Sequence, residues 1–346
     1  MKKVRRKPKI FHGLVNYGTQ SGLFARELRN LGYDAISVTG RDAFKRVTDI
    51  ELSRSKTNLD RIKRLLFLLQ CFFKYDIFHF YYGTSLLPKQ IDLPFYKLFG
   101  KKLIMHYLGN DIQRYTTSVQ KYKWTNVSFM MSQDEGLVYD QRINNRFINE
   151  KKFIDKSFVC APCYSEFAPL SEVLPLALDI IRFKFSSFPK YDGQIRIMHA
   201  PTHRGFKGTD FIVQAIERLK HEGYKIHFDL VENISHDELL ERYKLCHLFI
   251  DQIMGGWYGT ASIEAMAIGR PVIVSIRPDY FEYIDFADRI PAIHADPDLI
   301  YEVLKNTLDN GIEFLIEKGK QSRQFIEEYH DVKVVTKKLI NLYSEL

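Results

Sequence analysis

Cysteine is scarce in this chain. Its four residues, Cys71, Cys160, Cys163 and Cys246, are too few and too scattered among 346 positions to build a disulfide framework. Cys160 and Cys163 form a Cys-x-x-Cys pair, but no second pair completes a zinc site, so ordinary reduced thiols are expected. Uninterrupted apolar runs are lacking as well. The greasiest stretch, RLLFLLQCFFKYDIFHFYY, is broken by Gln70, Lys74 and Asp76, well short of the roughly 20 residues that span a bilayer. The basic segment MKKVRRKPKIFHGLV has a short apolar stretch and no small-residue cleavage site, which argues against a secretory signal and predicts a cytoplasmic protein. Asp-x-Asp occurs once, at Asp296 to Asp298 ahead of LIYEVLKNTL, where helix capping accounts for it, and no metal requirement is expected. Nor does any repeat or low-complexity segment point to a solenoid.

What the chain does have is length and a lopsided charge. Its 346 residues, 45% hydrophobic and 27% charged, suit two ordinary globular domains. Met1 to Leu174 carry 29 Lys and Arg against 16 Asp and Glu, whereas the remainder carries 21 against 26, so the net +8 conceals a basic half and an acidic half. A basic half attracts an anionic membrane surface, a phosphorylated lipid or a nucleic acid. With no RNA-binding signature or zinc finger beside the charge, peripheral association with an anionic membrane or a lipid-type acceptor is the expected partnership. A merely solvated basic face is the ordinary alternative, and nucleic acid is not an expected partner.

Apolar, β-branched or aromatic runs alternate with amphipathic segments along most of the sequence, the pattern of parallel sheets covered by helices. KIFHGLV, DAISVT, DIFHFYY and KLIMHYL read as strands of a first unit, with helices at SGLFARELRNLG, around Leu59 to Phe73 and near Leu93 to Phe99. Thr116 to Lys152 is polar, aromatic and poorly periodic, and reads as an insertion of unassigned structure. A second alternation starts at QIRIMHA. Its helix from Thr209 to His221 places Ile212, Ala215, Ile216 and Leu219 on one face, with Thr209 as cap and Gly223 past the end. The strands KIHFDLV, LFIDQ and PVIVSI follow, with helices SHDELLERYKLC and TASIEAMAIG between them. The expected architecture is two Rossmann-like, doubly wound parallel sheets facing across a cleft. Residues 1–175 with a C-terminal helix at 331–346 would form one domain, and 176–330 the other. Open parallel sheets bind ligands at the carboxyl ends of their strands, so the chemistry is to be sought in strand-to-helix turns.

Two turns stand out. IMHAPTHRGFKGTDF follows a strand and opens a helix, and it sets Arg204 and Lys207 beside Gly205 and Gly208, where backbone amides and a positive helix end favour an anion such as a diphosphate. Two solvated cations in an exposed turn are the plain alternative. His199 and His203 flank Pro201 and read as a packed and a loop histidine rather than a metal pair. The second turn is GWYGTASIEAMAIGRPVI. Its glycines allow close approach to a ligand, and Glu264 falls about one turn into an apolar helix, where a carboxylate needs either a structural partner or a ligand diol such as a ribose.

YGTASIEAMAIGRPVI resembles the donor domain of retaining glycosyltransferases of the GT-B fold, particularly family 4, in which a Glu-x-F-G segment precedes a helix ending Glu-A-M-A-x-G-x-P-V. The resemblance puts Glu264 at the second glutamate of that pattern, which binds the nucleotide ribose, and Tyr258, Gly259 and Thr260 in the loop whose amides face sugar and diphosphate. Gly256 occupies the first glutamate's position, so contacts to the donor sugar would fall to Asp251, Gln252 or loop amides. Lys207 and Gly208 match the family's Lys-Gly pair. Thr202 stands where the arginine is expected, leaving Arg204 as the displaced cation. NYGTQSGLFARELRNLGYDA, with Asn16, Gly18 and Gly22, is similar to the family's glycine-rich loop on the acceptor side. HYLGNDIQ is similar to its histidine-bearing turn, which implies that His106 faces the sugar and that Asp111 is an orienting or structural residue. His79 is open between cleft and packing. EEYHDVKVVTKKLINLYSEL looks like the closing helix of that fold.

The implied activity is transfer of a sugar from a nucleoside-diphosphate sugar to a glycan or lipid-linked acceptor with retention of configuration, as a hexosyl- or related transferase of polysaccharide synthesis. Lys207, Arg204 and His106 would carry the chemistry, with no cofactor beyond the co-substrate and no protein nucleophile. Two other readings fit the same fold: a membrane-associated scaffold that has lost turnover, and a sugar-nucleotide epimerase that needs no acceptor.

Overall fold

The computed structural model describes residues 6–40, 46–52 and 57–346. The first five residues of the basic amino-terminal segment lie outside them. The chain divides into two compact units. One comprises residues 1–113, 141–177 and 332–346, and the other 114–140 and 178–331.

The first unit is built on β1 (Ile10–Leu14), α1 (Gln20–Asn30), β2 (Ala35–Thr39), β3 (Ile50–Glu51), α2 (Asn58–Lys74), β4 (Ile77–Tyr81), α3 (Leu93–Leu98) and β5 (Lys102–Tyr107). α4 (Tyr115–Lys121) and α5 (Gln133–Glu150) fall next in the chain, then β6 (Lys156–Val159) and β7 (Glu172–Val173). Its seven strands pair in the order β3-β2-β1-β4-β5-β6-β7, and every pair is parallel. β1 and β4 are buried almost end to end, as strands covered on both faces must be. Phe11, Phe78, Phe80 and Tyr96 fill one side, with the Phe78 and Tyr96 rings edge-on at 4.8 Å. Burying a ring of this size contributes about 2 kcal/mol.

The second unit runs β8 (Ile195–His199), α6 (Arg204–Lys207), α7 (Thr209–His221), β9 (Ile226–Leu230), α8 (His236–Leu245), β10 (Leu248–Ile250), α9 (Thr260–Ile268), β11 (Val272–Val274), β12 (Ile293–His294), α10 (Ile300–Asp309) and α11 (Gly311–Tyr329). The chain's last helix, α12 (Val332–Ser344), belongs to the first unit. Five parallel strands pair as β12-β11-β10-β8-β9 around a core of Ile197, Ile212, Ile216, Leu248, Ile250 and Leu304. α9 is buried on nearly every side, which is why its sequence lacks a polar face.

Two local expectations change. Thr209 does not cap α7. Its hydroxyl pairs with His199 Nε2 at 2.9 Å, and Gly208 in the left-handed region starts the helix. The unassigned insertion is largely helical as α4 and α5, and its part up to residue 140 groups, together with residues 114 and 115, with the second unit rather than the first, where the boundary at 175 left them. The reason is aromatic and ionic. Trp124 lies edge-on to Phe211 at 5.0 Å, while its indole N–H and the Lys123 ammonium both donate to Asp298. Asp296 accepts the amides of Asp298 and Leu299 ahead of α10, so both carboxylates of the Asp-x-Asp have structural work.

Candidate functional site

In the second sheet the crossovers leave in opposite directions from β8 and β10, which makes their shared carboxyl end the topological switch point. Lys207 follows β8 and Asp251 follows β10, and the two side chains meet there. Lys207 Nζ donates to Asp251 Oδ1 at 2.5 Å and to Gln252 Oε1 at 3.1 Å. Both residues are buried, so each ion requires the other. The ammonium beside Asp251 holds its carboxyl below the ordinary range against the opposing effect of burial, and Ser262 donates to its second oxygen at 2.5 Å. The turns are locked together by Ile253 N–H donating to the Lys207 carbonyl at 3.1 Å. Gly208 has φ +76°, and a Cβ there would sit 2.5 Å from Ile253. An ammonium has three donors, and two are spoken for.

Gly259 and Thr260 lie beside this cluster. Gly259 precedes α9 with no side chain capping the helix, so the first-turn amides point outward from a positive helix end. Gln252 donates to the Trp257 carbonyl at 2.5 Å and thereby fixes the glycine-rich turn. Glu264, one turn into α9, is buried and accepts from His236 Nε2 at 2.9 Å. That bond raises the imidazole's pKa. Tyr258 turns inward, with its hydroxyl 3.0 Å from His330 Nε2 and its ring against Trp257 and Phe325. It can offer a ligand its backbone only. Arg204 stands apart from the cluster, exposed and forked onto Glu232 at 3.0 and 2.6 Å.

The remaining predicted residues belong to the first unit. Asn16 donates to the Val47 carbonyl at 2.8 Å and accepts from the Gly22 amide, while Gly22 lies so close to that carbonyl that any Cβ would collide with it. Gly18 takes φ +53° in the turn before α1. Asp111 is buried and accepts the amides of Leu108 and Gly109 at 2.9 and 2.8 Å, and desolvation pushes its carboxyl up to about 7. The sugar-facing placement of His106 is corrected: the ring has no exposed surface. β4 pairs with β1 and β5 so that His12 lies beside His79 and Tyr81 beside His106 on one face of the sheet. His12 and His79 stack at 4.9 Å, His79 lies 5.4 Å from His106, and Tyr343 of α12 bonds His79 Nδ1 at 2.7 Å. Desolvation pushes His12 and His106 down to about 3. This is packed core, and His79 belongs to it.

No protein-family model matches the chain, and no curated protein matches it. Solved structures do. Sucrose-phosphate synthase from Thermosynechococcus elongatus superposes with a TM-score of 0.60 at 15% identity, over 98% of this chain and 99% of that one. HepE from Anabaena in complex with UDP gives 0.61 at 12% identity, over 98% and 100%. WaaG, a glycosyltransferase involved in lipopolysaccharide biosynthesis, gives 0.55 at 13% identity, over 96% and 98%. The fold is that of the GT-B glycosyltransferases. At such identities the likeness speaks for the fold and for nothing finer.

Within this GT-B chain the departure at Gly256 has a physical cause. Its φ is +74°, and a Cβ would lie 2.5 to 2.9 Å from the Arg277 guanidinium. Arg277 is anchored by the Tyr280 hydroxyl at 3.1 Å, the Trp124 carbonyl and the Tyr122 ring face at 3.8 Å. A glutamate at 256 would take a strained backbone conformation and have to displace the Arg277 guanidinium. Arg277 and His236 both escaped the sequence reading. His236 follows directly on a Ser235 cap after a strand, which is a readable position, but nothing local tied either residue to its partner. Among the described residues no group of three or more His, Cys, Asp or Glu is placed to hold a metal. Cys160 and Cys163 are buried free thiols.

Proposed function

We propose that this chain is a sugar-nucleotide-dependent glycosyltransferase, with the donor held by the second unit and the acceptor, a glycan or lipid-linked sugar, by the first. The observation that carries the reading is the Lys207–Asp251 pair at the switch point, beside the uncapped start of α9 and one turn from Glu264. The third N–H of Lys207 and the α9 amides would hold the diphosphate, and the Glu264 oxygen not taken by His236 would accept a ribose hydroxyl. In transfer, the bond from the anomeric carbon to the diphosphate oxygen breaks, and negative charge collects on the phosphates where these donors converge. The acceptor hydroxyl forms the new bond from the same face and passes its proton to a phosphate oxygen, so configuration is retained. Arg204, already paired with Glu232, contributes long-range charge rather than a contact. HepE in complex with UDP-glucose and the Staphylococcus aureus MnaA structure with UDP support a nucleotide-sugar donor for folds of this kind.

The acceptor side is read as working at an anionic membrane from the cytoplasmic face. α2 exposes Leu59, Ile62, Leu66, Leu69 and Phe73 at helical spacing, with Arg61, Lys63 and Lys74 on the same helix. Among the described residues no helix is long and apolar enough to cross a membrane, so the contact would be peripheral.

The test is nucleotide release from a panel of UDP, GDP and ADP sugars, followed by NMR assignment of the anomeric configuration in the product. One donor should release nucleotide only with an acceptor and give a retained anomer. Donor consumption without acceptor, or an inverted product, would sink the reading.

A further inference from the structure

We infer that Arg277 selects the transferred sugar, and that the donor is a nucleoside-diphosphate sugar bearing a carboxylate, a uronic acid. The inference deepens the donor reading above and rests on it.

Arg277 stands at the same end of the second sheet as Lys207. The chain leaving β11 runs beside the chain leaving β10: Asp251 N–H donates to the Ile273 carbonyl at 2.9 Å, Ser275 N–H to the Gln252 carbonyl at 3.0 Å, and Arg277 N–H to the Gly256 carbonyl at 3.0 Å. This pairing carries Arg277 to the glycine-rich turn. Its guanidinium packs against Gly256, where a Cβ would lie 2.5 Å from one of its nitrogens, and over the Tyr122 ring at 3.8 Å. Gly256 has no side chain to fill the space or to answer the charge.

The cations of the neighbouring turn already have their acids. Lys207 is paired with Asp251, and Arg204 with Glu232. Arg277 is different. Its side chain donates to the Tyr280 hydroxyl at 3.1 Å, to the Met254 carbonyl at 3.5 Å and to the Trp124 carbonyl, all of them neutral, and among the described residues no carboxylate pairs with it. These bonds leave part of the guanidinium's five-donor fork without a protein partner. A full positive charge is therefore held in place by backbone, hydroxyl and ring before any ligand arrives, on a half-buried residue.

The donor is a linear molecule. With its ribose at Glu264 and its diphosphate at the first turn of α9, its sugar extends past the helix start, where residues 255–258 turn. Gln252 ties the two places together, accepting from Lys207 at 3.1 Å and donating at 2.5 Å to the carbonyl of Trp257, the residue after Gly256. A planar group that is always charged suits a carboxylate on that sugar, because a hydrogen bond between two ionised groups is about twice as strong as a neutral one. The hydroxymethyl group of an ordinary hexose offers only a neutral acceptor.

The test measures, by calorimetry on the full chain, donor pairs that differ only in this carboxylate: UDP-glucuronate against UDP-glucose, and GDP-mannuronate against GDP-mannose. Wild type should bind the uronate of one pair about tenfold more tightly than its neutral partner, the effect of one hydrogen bond to a charged group. Arg277→Gln should bring that ratio to about one while the neutral donor stays within about threefold of wild type, and Arg277→Lys should keep part of the preference. Equal affinity within each pair in wild type, or preference for the neutral sugar, overturns the inference. So does a loss in Arg277→Gln shared equally by both donors, which would leave Arg277 a clamp on residues 122–124. The wild-type ratio needs no variant, so it decides even where a substitution unfolds the chain. If UDP or GDP binds and the uronate is not preferred, the transferase reading stands and the inference falls; if neither nucleotide binds, both fall.

Discussion

At the carboxyl ends of β8 and β10 the second unit holds a lysine already engaged by an aspartate. At the carboxyl ends of β1 and β4 the first unit holds several cations around an open cavity. The two places are topologically alike, and burial makes the difference. Lys207 and Asp251 are both withdrawn from water, and an unpaired ion there would cost several kcal/mol, so the partner is built into the fold. Lys89 and Arg142 are exposed, so neither charge is withdrawn from water. Each place holds one built-in ion pair, Lys207–Asp251 in the second unit and Arg146–Glu150 in the first, and they differ in how many exposed cations surround it.

The largest expected effect tests the built-in pair. Lys207→Met should lower donor-dependent nucleotide release by about 10² to 10³ and destabilise the fold by about 3 kcal/mol, because Asp251 is left buried and charged. Adding Asp251→Asn should recover most of the stability in urea unfolding and none of the activity. If Lys207→Met alone melts like wild type, the pair is not the buried unit described here.

Protonation gives the next contrast. His12 and His106 are held near 3, below the ordinary 6.5, and His79 is lowered too, so the unfolded chain binds their protons first. Their contribution is complete above pH 6.5 and is lost as pH falls towards 3, at about 1.4 kcal/mol per pH unit for each net proton. Asp111 works the other way. Its carboxyl is raised to about 7, so its contribution is complete below the unfolded value near 3.8 and is lost as pH rises through 7. His106→Leu should therefore flatten the acid loss of stability and Asp111→Asn should steepen it, as read from urea midpoints between pH 4 and 8. Parallel curves for all three proteins would contradict the cluster.

Gly256→Glu is the substitution that a family pattern invites and this structure refuses. Strain at positive φ and displacement of Arg277 should cost about 1 to 3 kcal/mol, visible as a lower unfolding midpoint, with no gain in donor affinity. The smallest effect belongs to His236→Gln. The imidazole is substantially exposed, so the loss should stay below about 1 kcal/mol. It should be confined to low pH, because a raised pKa gives a contribution that is complete below 6.5 and is lost as pH rises through the folded value. UDP affinity measured alongside reports whether freeing Glu264 helps or hinders the ribose.

Much of this was legible in the chain. The strand at residues 77–81, the helix from Thr209 to His221 and the apolar helix carrying Glu264 follow from local pattern. Lys207 and Asp251 were both legible as candidates, but that they bind one another was not. His106 was misread because a histidine at a strand end looks the same in sequence whether its ring faces solvent or, as here, His79 and Phe158. The insertion after Thr116 resisted assignment because its aromatic residues serve distant partners such as Phe211 rather than a local periodic face.

The sequence by itself determined the alternation of strands and helices, the glycine-rich turns and the basic character of the first half, because periodicity, turn chemistry and charge are properties of neighbouring residues. Only the tertiary structure decided which charges are answered. Lys207 finds Asp251 across 44 residues, Glu264 finds His236 across 28, and Arg277 fills the space beside Gly256. Such pairings depend on which strands lie side by side, and strand order is set by the packing of the whole sheet.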